Sequence, residues 1–535
     1  MPSALPSSHH NGLNISSLIR PMEETHESGV NRNLDWRLDN LRAMRNMISD
    51  HADDFQAALR SDLGHVPEQA DVIEFSTIRS EIEFMISKLG NWMRPEKVPS
   101  PGFLAPSFSE VRRMPLTSPG VLVLGPSNYP LSLTIVPAVG SLAGGNPAII
   151  KPSELCPATS GLLARVVPEY FKRGALQVVE GGVKETSELL KQKWGLIFFT
   201  GSERVGKIVA RAAAETLTPT VLELGGKVPV FIAQDCPDMR VVSDRLAWGK
   251  TLNCGQSCIS PDYVVCHEEH VEHLCDELVK SLDRMFGKDP QKSAFSRIVS
   301  VSHAKRHLKL IKEVEKSGAK IICGGSEACD VEDKYIAPTI VLDPPQSCRL
   351  MTEEIFGPIL PIVTVKSTQS AINEINKKPG IPLSLCVFTS SLDLFEHIIS
   401  TCPAAGVHHN DCVVSYSSKH LPFGGLGTSG YGRYHGRYTF ETFTHAMPVV
   451  GRPCHRLSEF GGLRYAPYKG SKLTILAMRL PYIPVIHTRK CLGLIFASLL
   501  VMYIPALQPV KMFTMIFLLN MLGYFSKLIK SGISF

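Results

Sequence analysis

No CxxC pair occurs among the fourteen cysteines, and their spacing is irregular. This speaks against a disulfide framework, which belongs to small secreted domains, and for a thiol-rich intracellular protein. The first thirty residues hold no apolar run, which argues against a cleaved signal peptide. No block of one charge dominates: the net charge of +6 is spread along the sequence. Basic residues gather only at Arg489, Lys490, Lys527 and Lys530, where a membrane reading fits better than nucleic acid. Internal repeats and low-complexity tracts are absent, and no GxGxxG interrupts the region of alternating strands and helices.

What is present is an ordinary enzyme composition, 44% hydrophobic and 20% charged over 535 residues, enough for two or three domains. Residues 1–30, polar and without periodicity, read as disordered. Leu34, Leu38, Leu41, Met44 and Ile48 recur at helical steps, and a second helical pattern covers Ile73–Leu89. The Pro-rich text from Pro95 to Pro119 reads as an extended, strand-poor connector. From Gly120 onward short apolar strands (Val121–Gly125, Ala148–Lys151, Leu176–Glu180, Leu196–Thr200, Thr220–Glu223) alternate with helices. Such alternation predicts an α/β fold with a doubly wound parallel sheet and ligands at the strands' C-terminal ends. A second α/β region runs from about Leu224 to Ser415.

Five short motifs carry chemistry. Asn253-Cys254-Gly255-Gln256-Ser257-Cys258 offers a nucleophilic thiol beside a glycine that lets backbone approach a ligand. By itself such a cysteine is as readily a buried structural residue. Glu223-Leu224-Gly225-Gly226-Lys227 puts a carboxylate at a strand end, where partial drying raises its pKa and suits it to activate water; the bland alternative is a surface glutamate before a turn. In Gly125-Pro126-Ser127-Asn128-Tyr129-Pro130 the Asn128 amide can donate to a developing oxyanion, or else cap the next helix. Thr352-Glu353-Glu354-Ile355-Phe356-Gly357-Pro358 and Leu421-Pro422-Phe423-Gly424-Gly425 are turn-like peptides with aromatics.

In this order and with these gaps, the motifs resemble the aldehyde dehydrogenase superfamily, and in detail its class 3 branch. Lys151-Pro152-Ser153-Glu154, Leu217-Thr218-Pro219, Ala247-Trp248-Gly249-Lys250, Tyr335-Ile336-Ala337-Pro338-Thr339 and Tyr434-His435-Gly436 extend the likeness over about residues 30–470. The family's cofactor loop lacks GxGxxG, so its absence from the region of alternating strands and helices does not count against the likeness. The resemblance implies a thioester on Cys258, an oxyanion held by Asn128 and the Cys258 backbone N–H, and Glu223 as the base for water. It implies an NAD (or NADP) cofactor met by Lys151 and Glu154 at the adenosine ribose. Gly201, Ser202 and Val205 would face the pyrophosphate at a helix N-terminus; Glu354 would anchor the nicotinamide ribose, with Phe356 beside the ring. No metal is implied. The domains then divide as 31–223 for cofactor binding, 224–415 for catalysis, 416–470 for a return to the cofactor domain with a dimer arm, and 471–535 for a membrane-associated tail. The connector at 95–119 and the stretch Tyr438–Phe443 resemble segments by which class 3 subunits form homodimers.

Three positions depart from the family pattern: Ser127 in place of a large residue, Cys254 in place of Ala or Ser, and Met447 where Arg is common. Cys254 either packs or captures an oxidised Cys258. Cys266, His267, His270, His273 and Cys275 imitate zinc ligands, but His270 and His273 fall on one helix face among Glu268, Glu269 and Glu272, as solvated residues do. Near the C-terminus, Cys491–Leu507 and Met512–Phe525 are apolar runs separated by Gln508-Pro509-Val510-Lys511. Seventeen residues of helix rise about 25 Å, short of the roughly 30 Å hydrocarbon core. With basic flanks on both sides, a hairpin is favoured over a single anchor. The expected substrate is therefore a hydrophobic aldehyde, long-chain fatty or terpenoid, with an apocarotenal or other isoprenoid aldehyde as the alternative. The expected place is a membrane facing the cytosol: endoplasmic reticulum, or else lipid droplet, peroxisome or mitochondrial outer membrane. Glu223 argues against the coenzyme A-acylating variants of the superfamily, and the full set of site residues argues against a non-catalytic membrane scaffold.

Overall fold

The computed structural model describes residues 14–100, 107–455 and 458. Contacts divide them into two units, one reaching Met93 and resuming from Arg113 to His445, the other built from Arg94–Arg112 and the chain after Ala446.

The larger unit contains two sheets. In the six-stranded sheet the order is Gly430–Tyr431, Thr220–Glu223, Leu196–Thr200, Val121–Leu124, Ala148–Lys151, Leu176–Val178. All pairings are parallel except that of Gly430–Tyr431 with Thr220–Glu223. The interior strands Val121–Leu124, Ala148–Lys151 and Leu196–Thr200 are buried throughout, as parallel strands covered on both faces must be. One face is covered by the helices Leu34–Asp50, Ser76–Trp92 and Ser132–Gly144, whose Leu41, Met44, Ile82, Met85, Ile135 and Val139 share a core with Val121 and Phe198. Chain order reverses at Val121–Leu124, with Ala148–Lys151 on one side and Leu196–Thr200 on the other. That is the switch point at which open α/β sheets bind ligands.

The seven-stranded sheet runs Lys320–Cys323, Thr339–Leu342, Ile359–Val365, Tyr263–His267, Pro229–Ile232, Leu385–Phe388, Val407–His409, antiparallel only in its first pair. Its faces carry two apolar cores, one including Phe231, Tyr263 and Ile355, the other Val230, Leu246 and Leu274. The α/β architecture with parallel sheets is thus as expected.

Two expectations fail. Ile15–Ser28, expected without structure, is a helix: the Asn14 side chain accepts from Ser17 N–H at its start, Gly29 ends it at φ 70°, and Met22 is buried. The connector is not strand-poor. Glu96–Val98 and Phe108–Met114 pair antiparallel, and His445–Gly451 completes a three-stranded sheet with them. The stretch Tyr438–Phe443 lies largely in the helix Arg437–Thr442. Among the described residues no helix is long and apolar enough to cross a membrane. The proposed tail, 471–535, lies outside them.

Candidate active site

Parallel register aligns the ends of the six-stranded sheet: Leu124 sits beside Lys151 and Phe199, and Thr200 beside Glu223. The Glu223 carboxyl is therefore delivered to the C-terminal edge, where it is 3% exposed. Neither of its oxygens finds a hydrogen-bond partner among the described residues. Burial alone pushes its pKa well above the ordinary carboxylate range.

Cys258 reaches this edge from the other sheet's unit of chain. The helix Met239–Thr251 ends, and Asn253, Cys254 and Gly255 follow at φ 49°, 57° and 73°. Three consecutive left-handed residues are costly unless the surroundings fix them. Gly255 has no room for a side chain, since a Cβ there would lie 2.4 Å from the Gly357 carbonyl oxygen. The Cys258 thiol is pushed up to about 12, first by burial and then by the negative charges of Glu223 and Glu354. Its own backbone N–H and that of Ile259 act in the opposite direction. The thiol and both carboxyls are thus electrostatic neighbours, and the thiol is protonated at neutral pH.

Asn128 follows the strand Val121–Leu124. Its Nδ2 donates to the Gln256 carbonyl at 3.1 Å, two residues before Cys258, and its own carbonyl accepts from Asn253 Nδ2 at 2.6 Å. It does not cap the next helix. That helix begins at Ser132, whose N–H donates to the Glu74 carboxylate at 2.5 Å.

The turn bearing Glu354 and Phe356 is held from several directions. Lys227 Nζ, buried, meets Asp262 at 2.6 Å and donates to the Leu350 and Glu353 carbonyls. Asp262 in turn accepts from Ile355 N–H at 3.0 Å. Arg306 donates to the Glu354 and Ile355 carbonyls, and His307 Nε2 lies 2.9 Å from the latter. Glu354 accepts from Gly226 N–H at 3.2 Å, and burial with the Asp262 charge raises it to about 7. Phe356 is held at φ 53°.

Farther along the same edge, Lys151 Nζ meets Glu154 at 3.0 Å and the Pro152 carbonyl at 2.9 Å; the Glu154 side chain is half exposed. Ser202 caps the helix Glu203–Glu215 by accepting from Val205 N–H, and Gly201 N–H donates to the Glu223 carbonyl. The predicted residues thus form two neighbouring groups. Cys258, Glu223, Asn128 and Glu354 converge; Gly201, Ser202 and Val205 join them through Glu223, while Lys151 and Glu154 stand one strand beyond Val121–Leu124.

Sequence reasoning passed over His65, Asp262, Arg306, His307 and Tyr416. Asp262 stands four residues after Cys258, so its proximity was a signal; the others arrive from distant segments. Tyr416 and Tyr434, hydroxyls 3.2 Å apart, lie within electrostatic reach of both Glu223 and Cys258. Cys254 is fully buried in the core containing Phe231 and Tyr263, which is the packing role of the two considered. His270 Nε2 contacts the Gln234 carbonyl at 2.8 Å, and Cys266 and Cys275 belong to an apolar core.

Residues 14–449 match the aldehyde dehydrogenase family. Aldehyde dehydrogenase family 3 member H1 of Arabidopsis thaliana is 41% identical, the alignment covering 86% of this chain and 94% of that protein. The dimeric NADP-preferring aldehyde dehydrogenase of Canis lupus familiaris is 39% identical over 82% of this chain and 95% of its own. Among solved structures, the substrate-bound state of Staphylococcus aureus AldH superposes with a TM-score of 0.82 at 35% identity, covering 86% of this chain and 99% of that one. The chain belongs to the aldehyde dehydrogenase family, in its class 3 branch. It is accordingly an NAD(P)-dependent aldehyde dehydrogenase.

Proposed function

We propose that this enzyme oxidises a hydrophobic aldehyde, long-chain fatty or terpenoid, to its carboxylic acid through a thioester on Cys258. The observation that carries the mechanism is the unpartnered, buried carboxyl of Glu223 within electrostatic reach of the Cys258 thiol. The Cys258 thiol gives its proton to solvent as the sulfur adds to the aldehyde carbon. Asn128 Nδ2, turning from the Gln256 carbonyl, and the Cys258 N–H donate to the oxygen as its charge grows. A bound nicotinamide supplies the acceptor for the hydride. After Glu223 releases its proton to solvent, it takes one from the water that adds to the thioester carbon. Collapse expels the Cys258 sulfur and frees the acid.

The residues at the sheet edge fit a dinucleotide. Glu354, half-buried and with one hydrogen bond among the described residues, has acceptor capacity left for the nicotinamide ribose, with Phe356 beside the ring. Ser202 opens a helix N-terminus suited to the pyrophosphate, with Gly201 and Val205 around it. Lys151 and Glu154 suit the adenosine ribose. The half-exposed Glu154 carboxylate would repel a 2′-phosphate, which favours NAD with NADP as a second cofactor. The relative described as dimeric supports a homodimer here. The apolar runs at Cys491–Leu507 and Met512–Phe525 support attachment to a membrane, with the catalytic domain in the cytosol, most simply on the endoplasmic reticulum.

The test is NADH formation over a series of aldehydes from short to long, with both cofactors, for the wild type and Cys258→Ala. Activity should rise with chain length and vanish in the variant while NAD binding persists. Aldehyde oxidation by the purified Cys258→Ala enzyme would overturn the assignment.

A further inference from the structure

His65 follows Gly64, the residue that ends the helix Ala52–Leu63 at φ 70°. This bend brings the N-terminal helices against the segment carrying the nucleophile. Arg297 N–H donates to the Leu63 carbonyl at 2.7 Å, and a Cβ on Gly64 would lie 2.9 Å from the Arg297 side chain. Arg297 in turn accepts Gln256 Nε2 on its carbonyl at 2.9 Å, and Val299 N–H donates to Gln256 Oε1 at 2.9 Å.

From this position the fully buried His65 places Nε2 2.8 Å from Asn253 Oδ1. The hydrogen-bond directions follow from the partners. Asn253 Nδ2 faces the carbonyls of Asn128 (2.6 Å) and Gln256 (3.2 Å), which can only accept. The amide oxygen must then be the atom facing His65, and an oxygen acceptor requires the hydrogen on Nε2. Burial, which outweighs the Asn253 bond, lowers His65 to about 4 and keeps the ring neutral where the enzyme works. His65 Nδ1 has no partner among the described residues, so the contact to Asn253 is the one directed bond the ring makes there.

We propose that His65 is a positioning residue for the reaction. It locks the Asn253 amide, which ties the Asn128 backbone to the Gln256 carbonyl and so sets the distance between the oxyanion donor and Cys258. Without that hydrogen, the Asn253 oxygen is left buried and unpaired. The amide then keeps its Nδ2 bonds to the Asn128 and Gln256 carbonyls but loses its restraint from the oxygen side, and the left-handed turn at Asn253 and Cys254 is held less firmly.

The inference rests on the mechanism proposed above, and the experiment separates the two. In a Glu223→Gln parent, stopped-flow NADH formation with decanal isolates the first turnover. Its amplitude counts competent sites, and its rate reports acylation and hydride loss. His65→Phe and His65→Ala should keep the amplitude and slow the rate about tenfold, the scale expected of a small misplacement at a reacting centre. His65→Gln, whose Nε2–H can reach the same oxygen, should recover the rate to within about twofold of the parent. Unchanged rates in the apolar variants, a loss of amplitude alone, or a Gln variant as slow as Phe would overturn the proposal. If neither apolar variant folds, Asn253→Asp breaks the same chain one link on, and a rate equal to the parent overturns it. A parent with no first turnover overturns the mechanism itself, and this proposal with it.

Discussion

Glu223 is buried and Glu354 only half-buried, and they differ in their partners in a way that suits them to different work. Glu354 has a backbone N–H and the Lys227 and Arg306 cations favouring its charged form, against burial and Asp262. Glu223 has burial alone. A base must gain and lose a proton during turnover, which suits the less restrained Glu223 to the proposed role; an anchoring carboxylate needs a fixed position, which suits Glu354 to its own. Its pKa also makes a prediction about stability. With a folded value of about 7 against 4.5 unfolded, the folded state holds the extra proton between those pH values. Its contribution is full below pH 4.5 and is lost as pH rises through 7. Glu354→Gln keeps the acceptor for Gly226 N–H and removes the titration. In cofactor-free enzyme it should therefore raise the apparent Tm by roughly 2 °C or more at pH 8, and much less at pH 5, by differential scanning fluorimetry. An equal shift at both pH values would contradict this account of Glu354.

At the scale of elements, the site is four turns pressed together: the one after Val121–Leu124, the one after Thr220–Glu223, the left-handed turn before Cys258, and the Glu353–Pro358 peptide. Glycines make the contact possible. A Cβ on Gly225 would stand 2.3 Å from Glu354 Oε1, so even Ala must displace that carboxylate. Gly225→Ala should weaken NAD binding about tenfold by fluorescence titration, since the anchor moves. Labelling of Cys258 by iodoacetamide should stay near the wild-type rate. Wild-type NAD affinity in this variant would show that Glu354 does not hold the cofactor. The helix Ser132–Gly144 shows the limit of reading such turns locally. Asn128 stands where a cap is expected, yet the Ser132 N–H goes to Glu74, from a segment more than fifty residues earlier. Asn128 is thereby released from a structural task.

For the whole molecule, the legible parts were those whose signals are local. Strands such as Ala148–Lys151 and Leu196–Thr200 are apolar runs bounded by turns, and the motifs around Glu223 and Cys258 are contiguous peptides. The illegible parts depend on contacts between distant segments. His65 meets Asn253 across 188 positions, a pairing no spacing rule anticipates. Ile15, Leu18, Ile19 and Met22 do recur at helical steps, and Leu18 and Ile19 pack with buried Met22 on the core, but Pro21 and the polar residues around this short stripe hide it in the sequence. The strands Glu96–Val98 and Phe108–Met114 are short, partly exposed and set among prolines, and only their pairing defines them. The site as a whole makes one central claim: acyl transfer passes through Cys258, and Glu223 releases it. The direct measurement is mass spectrometry of Glu223→Gln enzyme quenched after mixing with decanal and NAD, then digested. A decanoyl group is expected on the peptide containing Cys258, formed together with one NADH per site and slow to disappear. Stoichiometric NADH with no acyl group on Cys258, or with the acyl group on another cysteine, would contradict it.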